Sequence, residues 1–137
     1  MLIDDNDRQS LALCSWKEAR GEGLDGMRAV MHVVLNRVAA LMYAAVHEAI
    51  YAKNQFTSMS VPSDPQFNLE PVPPDVRWQQ AKHMAASIEN DPDNTNGAKY
   101  YANLATMDPD GWFARNIVAD TVAHPQVAVI GHHHFYL

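Results

Sequence analysis

The chain has 137 residues, 47% of them hydrophobic and 19% charged, so a single domain is expected, with enough apolar material to bury roughly two thirds of its unfolded surface; disorder is excluded as the main state. Ten Lys and Arg against 16 Asp and Glu give a formal charge of −6, which leaves no global positive field for nucleic acid or an anionic membrane. The lone cysteine, Cys14, excludes an intramolecular disulfide and a paired-cysteine zinc site.

The opening MLIDDNDRQS carries three aspartates and no apolar run, so it is neither a signal h-region nor an anchor. Ser10 to Arg20 holds Leu11, Leu13, Cys14, Trp16 and Ala19 without Gly or Pro, and predicts a first helix ending at Gly21 and Gly23. Asp25 stands as an N-cap, and Met27, Val30, Met31, Val34, Leu35 and Val38 follow at spacings of three and four, the pattern of a long helix. Arg28, His32, Asn36, Arg37, His47 and Glu48 interrupt the apolar stretch from Met27 to Tyr51, which excludes a membrane span. A shorter helix is predicted from Tyr43 to Ala52.

Thr57 to Pro74 contains five prolines and predicts a long loop. Pro74 suits a first helical position, Trp78, Ala81, Ala85 and Ile88 continue at helical spacing to Glu89, and residues 90–97 form a turn cluster. The β-favouring residues Tyr100, Tyr101, Val127, Val129, Ile130, Phe135 and Tyr136 come in short runs, which predict at most a small hairpin or irregular strands. The fold expected is therefore mainly α (α+β).

Glu18 and Glu22 stand four residues apart at the end of an otherwise apolar helix, close enough to share a face. A carboxyl among Trp16, Leu13 and Tyr100 would suit general-acid work; the alternative, which spacing alone favours, is that both are ordinary surface charges, with Glu22 paired to Arg20 or Arg28. His132, His133 and His134 are adjacent in an extended segment and point to alternate faces, so no metal site is expected. Cys14 sits in the apolar run of the first helix and reads as a buried, inert thiol rather than a nucleophile. Asn36 and Arg37 read as scaffold, Asn36 as a satisfied polar group bonding a neighbouring segment.

An ordered set of motifs from residue 11 to residue 136 resembles the SleB-type cell-wall hydrolases, the spore-cortex-lytic enzymes and related phage proteins. Glu18-Ala19-Arg20-Gly21-Glu22 and the helix ending Val33-Val34-Leu35-Asn36-Arg37-Val38 are similar to that family's opening signature. Gln55-Phe56-Thr57 resembles its Gln-Phe-Ser element, Gly97-Ala98 with Tyr100-Tyr101 its Gly-Ala-Thr-x-Tyr segment, Pro109 and Trp112 its Pro-x-Trp region, and residues 131–136 its terminal Gly-Asn-His-x-Phe-Tyr. Three departures bear on sugar contacts: Thr57 replaces Ser, Lys99 replaces Thr, and His132 replaces Asn.

The resemblance implies a lysozyme-like, lytic-transglycosylase-like helical domain that cuts the β-1,4 bond between N-acetylmuramic acid and N-acetylglucosamine in peptidoglycan glycan strands. It implies Glu18 as the catalytic acid and base of a transglycosylase that forms 1,6-anhydro-muramic acid ends without a cofactor or metal. Glu22 is either a second carboxylate or a structural group fixing the turn that presents Glu18. Gln55, Thr57, Tyr100 and Tyr101 are candidate substrate contacts, with ordinary packing as the alternative. His133 matches the family's terminal His and is placed near the cleft or under the catalytic helix, holding a Tyr or Glu. The alternatives to a transglycosylase are a hydrolytic muramidase using water and Glu22, and a catalytically silent glycan-binding module. Residues 1–137 are expected to form one monomeric catalytic domain without a separate wall-binding module, a phage endolysin kept in the bacterial host cytoplasm until a holin delivers it to the wall; a trimmed bacterial hydrolase would read the same. No nucleic acid and no membrane insertion are expected.

Overall fold

The computed structural model describes residues 1–137. Helix α1, Asp5–Ala19, begins five residues before the predicted start, because Asp4 and Asp7 form a reciprocal capping box ahead of the apolar pattern. Its buried residues, Leu11, Ala12, Cys14, Ser15, Trp16 and Ala19 among them, reach to its end. A single tight turn, Arg20–Glu22, follows. Gly23, at a φ of +74° that few side chains tolerate, then opens helix α2, Gly23–Ala39. Asp25 is therefore inside the first turn of α2 rather than its cap, and its carboxylate accepts from Arg28 Nη1 at 2.8 Å.

Helix α2 is buried on two faces. Met27, Val30, Met31 and Val34 pack into the main core with α1 and helix α5, Val76–Ala86, whereas Ala29 and Val33 meet Ala98 and Phe135 in a second, smaller cluster under the sheet. A polar strip at intervals of four separates the two faces. Arg28 Nε and His32 Nε2 both donate to Asp91 Oδ2 at 2.9 Å, and Asn36 Nδ2 donates to Asp93 Oδ2 at 3.0 Å and to the Ala98 carbonyl at 2.9 Å. This strip holds residues 91–98 against the helix and delivers the chain to the sheet.

The remaining helices are short. Helix α3, Val46–Tyr51, buries Val46, Ala49 and Ile50 and is shorter than the predicted Tyr43 to Ala52. Helix α4, Thr57–Ser60, is a single turn inside the stretch read as loop, ahead of the first of its prolines. The cap of α5 is Asp75, which accepts from the Trp78 amide at 3.0 Å, so Pro74 lies outside the helix it was expected to open. Helix α5 itself ends at Ala86, and Ile88–Asn90 forms a separate turn whose Ile88 is buried in the core. No helix is long and apolar enough to cross a membrane.

Strands β1, Tyr100–Asn103, β2, Gln126–Ile130, and β3, His133–Tyr136, form an antiparallel sheet in the order β1-β3-β2. The expected hairpin is β2–β3, turning at Gly131 and His132 with Gly131 at a φ of +59°. The third strand, β1, pairs with the other edge of β3, placing Tyr101 opposite Phe135.

The end of α2 carries a local strain. Leu41 donates to Val38 O and Met42 to Arg37 O, closing the helix in a Schellman pattern whose left-handed position is occupied by Leu41 at a φ of +62°. The Leu41 side chain is 89% exposed and gains little from burial. Leu41→Gly is expected to raise stability by about 1 kcal/mol, read as a higher denaturation midpoint in urea; a lower midpoint would show that the Leu41 side chain contributes more than its backbone strain costs.

Candidate active site

Glu18 stands in the last turn of α1, half-buried. Its Oε2 accepts from Ser58 Oγ and its Oε1 from the Tyr101 hydroxyl, both at 2.6 Å. The two donors come from α4 and β1, so the carboxylate sits where three elements meet. Ser58 is fixed by Lys17, whose Nζ donates to the Ser58 carbonyl at 3.3 Å and the Phe67 carbonyl at 2.7 Å and tethers the proline-rich segment to α1. Tyr101 is fixed by its ring, with Phe56, His133 and Phe135 centroids at 6.5, 4.9 and 5.5 Å. Burial, then the neighbouring Glu18 charge, push the Tyr101 hydroxyl well above its ordinary range, so it stays a neutral donor.

Two recesses meet at Glu18. The larger, about 730 Å³, is walled by Arg37, Tyr43, Phe56, Tyr100, Trp112 and Phe113, with Met42, Lys53, Asn54, Gln55 and Tyr101 completing it. The smaller, about 410 Å³, is lined by Lys17, Arg20, Gly21 and Gln66 and by no hydrophobic side chain. Glu18 is the one carboxylate on either wall. An aromatic groove continuing past a carboxyl group into a polar recess is shaped to take a carbohydrate chain, whose rings stack on aromatic faces while its hydroxyl and amide groups bond at the edges.

The residues singled out in the sequence do not all come together. Gln55, Tyr100 and Tyr101 line the larger recess with Glu18. Thr57 does not: it is exposed, and its hydroxyl donates to Asp64 Oδ2 at 2.5 Å. One helical turn explains this, because Thr57–Ser60 sends Thr57 outward and turns the next hydroxyl, Ser58, inward to full burial. His133 is half-buried beneath the site, its ring tilted on Tyr101 and its Nδ1 buried without a partner, so it braces the tyrosine by packing and not by a hydrogen bond. Burial holds the His133 imidazole below its ordinary range, against the opposing pull of Glu22 and Glu18.

Glu22 lies outside both recesses. Its Oε1 accepts from His132 Nδ1 at 2.9 Å and its Oε2 from the His132 amide at 3.1 Å. A Cβ on Gly131 would collide with the Glu22 carboxylate, which is why the hairpin turn carries glycine beside it. The pairing to Arg20 or Arg28 is thus replaced: Arg20 stacks on the Trp16 ring at 4.3 Å, and Arg28 belongs to Asp25 and Asp91. The three histidines do not converge, since His132 goes to Glu22, His133 to Tyr101 and His134 to Gln126. Cys14 is fully buried, and burial pushes its thiol well above the ordinary range.

A mainly helical body with a small antiparallel sheet and one hydroxyl-bound carboxyl group between two recesses defines the class of lytic-transglycosylase-like catalytic domains. The sequence model of the Cell Wall Hydrolase family matches residues 21–136, and the chain belongs to that family. Over 131 residues it is 33% identical to a spore cortex-lytic enzyme of Oceanobacillus iheyensis, covering 95% of this chain and 41% of the relative, so the chain spans about two fifths of that protein's length. Among solved structures it resembles the catalytic domain of the germination-specific lytic transglycosylase SleB from Bacillus anthracis, with a TM-score of 0.73 and 30% identity over 98% of this chain and 96% of that one. The catalytic domain of the Bacillus cereus SleB protein matches with a TM-score of 0.74 and 29% identity, over 99% and 93% of the two chains. Glu18 precedes the family-matched stretch, so its assignment rests on the geometry.

His132, chiefly by its side-chain hydrogen bond, holds the Glu22 carboxyl below its ordinary value of about 4.5. A carboxyl depressed on folding stabilises the fold above its unfolded range and loses that contribution as pH falls through its folded value. Glu22→Gln is therefore expected to lower the melting temperature near neutral pH, with the gap to wild type closing as the pH drops below about 4. A gap that stays constant between neutral and acid pH would show that the carboxylate charge contributes nothing.

Proposed function

We propose that the chain cleaves the β-1,4 bond between N-acetylmuramic acid and N-acetylglucosamine in peptidoglycan as a lytic transglycosylase, with Glu18 as its single acid–base group. The observation that carries this reading is that Glu18 is the one carboxylate lining either recess, while Glu22 is held by His132 on the hairpin turn. Two-carboxylate glycosidases need a second Asp or Glu as nucleophile or water-activating base. A transglycosylase needs only one, because the muramic acid supplies its own nucleophile.

In this reaction the protonated Glu18 gives its proton to the glycosidic oxygen as the bond to C1 breaks, releasing the N-acetylglucosamine hydroxyl. The Glu18 carboxylate then takes the proton of the C6 hydroxyl as that oxygen bonds to C1, which closes the 1,6-anhydro ring and restores the acid. Ser58 and Tyr101 donate to Glu18 while it is an anion, offsetting the charge that appears when the proton leaves. When Glu18 is protonated the Ser58 hydroxyl can rotate to accept. Gln55 and Tyr100 lie along the groove as sugar contacts.

The solved catalytic domains align with 98% and 99% of this chain, which supports reading residues 1–137 as one catalytic unit. One relative is named a spore cortex-lytic enzyme and another a germination-specific lytic transglycosylase, so a bacterial enzyme working on its own wall stands beside the endolysin setting, in which the protein acts in the periplasm or wall after holin-dependent release.

Mass spectrometry of muropeptides released from purified peptidoglycan tests the reaction. Wild type is expected to give 1,6-anhydro-muramic acid ends and Glu18→Gln to lose about a thousandfold in rate with its melting temperature nearly unchanged. Reducing ends would transfer the case to a water-using muramidase, and the absence of cleavage to a glycan-binding module. Ser58→Ala and Tyr101→Phe should each lower kcat by roughly ten- to a hundredfold with little change in KM; unchanged kcat in both would remove the hydroxyls from the mechanism.

A further inference from the structure

Arg37 is 5% exposed, lines the larger recess and takes part in no ion pair. Its Nε donates to the Lys99 carbonyl at 2.7 Å, and its Nη1 is buried without a partner. Its guanidinium carbon lies 5.2 Å from the Phe56 ring and 5.7 Å from the Tyr100 ring, both of which wall the same recess. One carbonyl and two ring faces offset only part of the cost of removing a cation from water, and burial accordingly holds the Arg37 guanidinium below its ordinary range.

Three further cations line the two recesses. Lys53 lines the recess, exposed and bonded to no other side chain, and Lys17 and Arg20 line the recess beyond Glu18. A strand crossing Glu18 would thus pass Arg37, Lys53 and Arg20 against one carboxylate, Lys17 being engaged by the Ser58 and Phe67 carbonyls, on a molecule whose net charge is −6. Low-dielectric walls focus such a local field on whatever enters.

We propose that this groove selects glycan strands bearing free carboxylates, Arg37 and Lys53 receiving a carboxylate of the muramyl side chain beside the scissile bond. The inference rests on the peptidoglycan reading above and adds to it a charge preference. Arg37 acts there as a binding residue, anchored at the recess by its bond to Lys99 O.

The test uses phosphate-free glycan strands stripped of stem peptides, so that the lactyl carboxylate is free, and the same strands with that carboxylate converted to a neutral methylamide. Calorimetric titration into the Glu18→Gln protein reads binding without cleavage. The charged strands are expected to bind at least about tenfold more tightly, with a preference that shrinks as salt is raised. Lys53→Gln, at an exposed position that cannot fail by unfolding, should weaken charged-strand binding and leave neutral-strand binding unchanged; Arg37→Lys should lose more of the preference at an unchanged fold. Equal affinity for the two strands overturns the inference, as does a preference untouched by both substitutions. Cleavage of either strand by the wild-type protein is scored separately, so a failure of the glycosidase reading is distinguishable from a failure of charge selection.

Discussion

A carboxylate drawn into the edge of a protein core must be met by donors, and Glu18 is met by two hydroxyls that lie 40 and 83 residues away in the chain. Much of the architecture serves that convergence. Lys17, the residue before Glu18, spends its charge on the Ser58 and Phe67 carbonyls and so carries Ser58 to the site, while the polar strip of α2 fastens residues 91–98 and sets the start of β1. Tyr101 then reaches Glu18 from a strand whose register is fixed by β3, with Phe135 opposite it and His133 against its ring. Each of these supports holds one of the two donors to Glu18.

Helix α2 makes this possible by being apolar on two faces at once. A surface helix with one apolar stripe could pack on α1 or on the sheet, not on both. Because Met27, Val30 and Met31 serve the main core and Ala29 and Val33 serve the small cluster under the sheet, the helix is a shared wall between two packed layers. Its polar residues are confined to the seam between those faces, where Asp91 and Asp93 wait for them, and to Arg37 near its end, which opens on the cleft.

What the sequence made legible follows from how local each signal is. The spacing of Met27, Val30, Met31, Val34 and Val38 marks α2 because burial on one side repeats along the helix itself, and of the candidates that the ordered motifs named, Glu18, Gln55, Tyr100 and Tyr101 line one recess while Thr57 does not. Starts and stops were harder. The Asp4–Asp7 capping box precedes any apolar residue of α1 that is buried, and Gly23 begins α2 by a backbone angle that composition does not reveal. Pairings across the chain were out of reach: β1 joins β3, and Glu22 joins His132 over 110 positions, through contacts that no spacing rule encodes. The exchange of Thr57 for Ser58 has a finer origin, since one turn of helix decides which of two adjacent hydroxyls faces Glu18.

The two glutamates show why position along a helix end is not enough to assign chemistry. Both lie in Glu-Ala-Arg-Gly-Glu, yet α1 closes between them, and the turn Arg20–Glu22 points the second carboxylate away from the groove and into the hairpin. There it stabilises the approach of two backbones, with Gly131 leaving the room its oxygens need. A carboxylate already bonded by an amide and an imidazole is held in its charged form and removed from the sugar, which suits a structural anchor and not a base that must trade protons. The structure thus divides the pair: Glu18 is held at the groove by two neutral hydroxyls, and Glu22 is held at the hairpin by an imidazole and an amide.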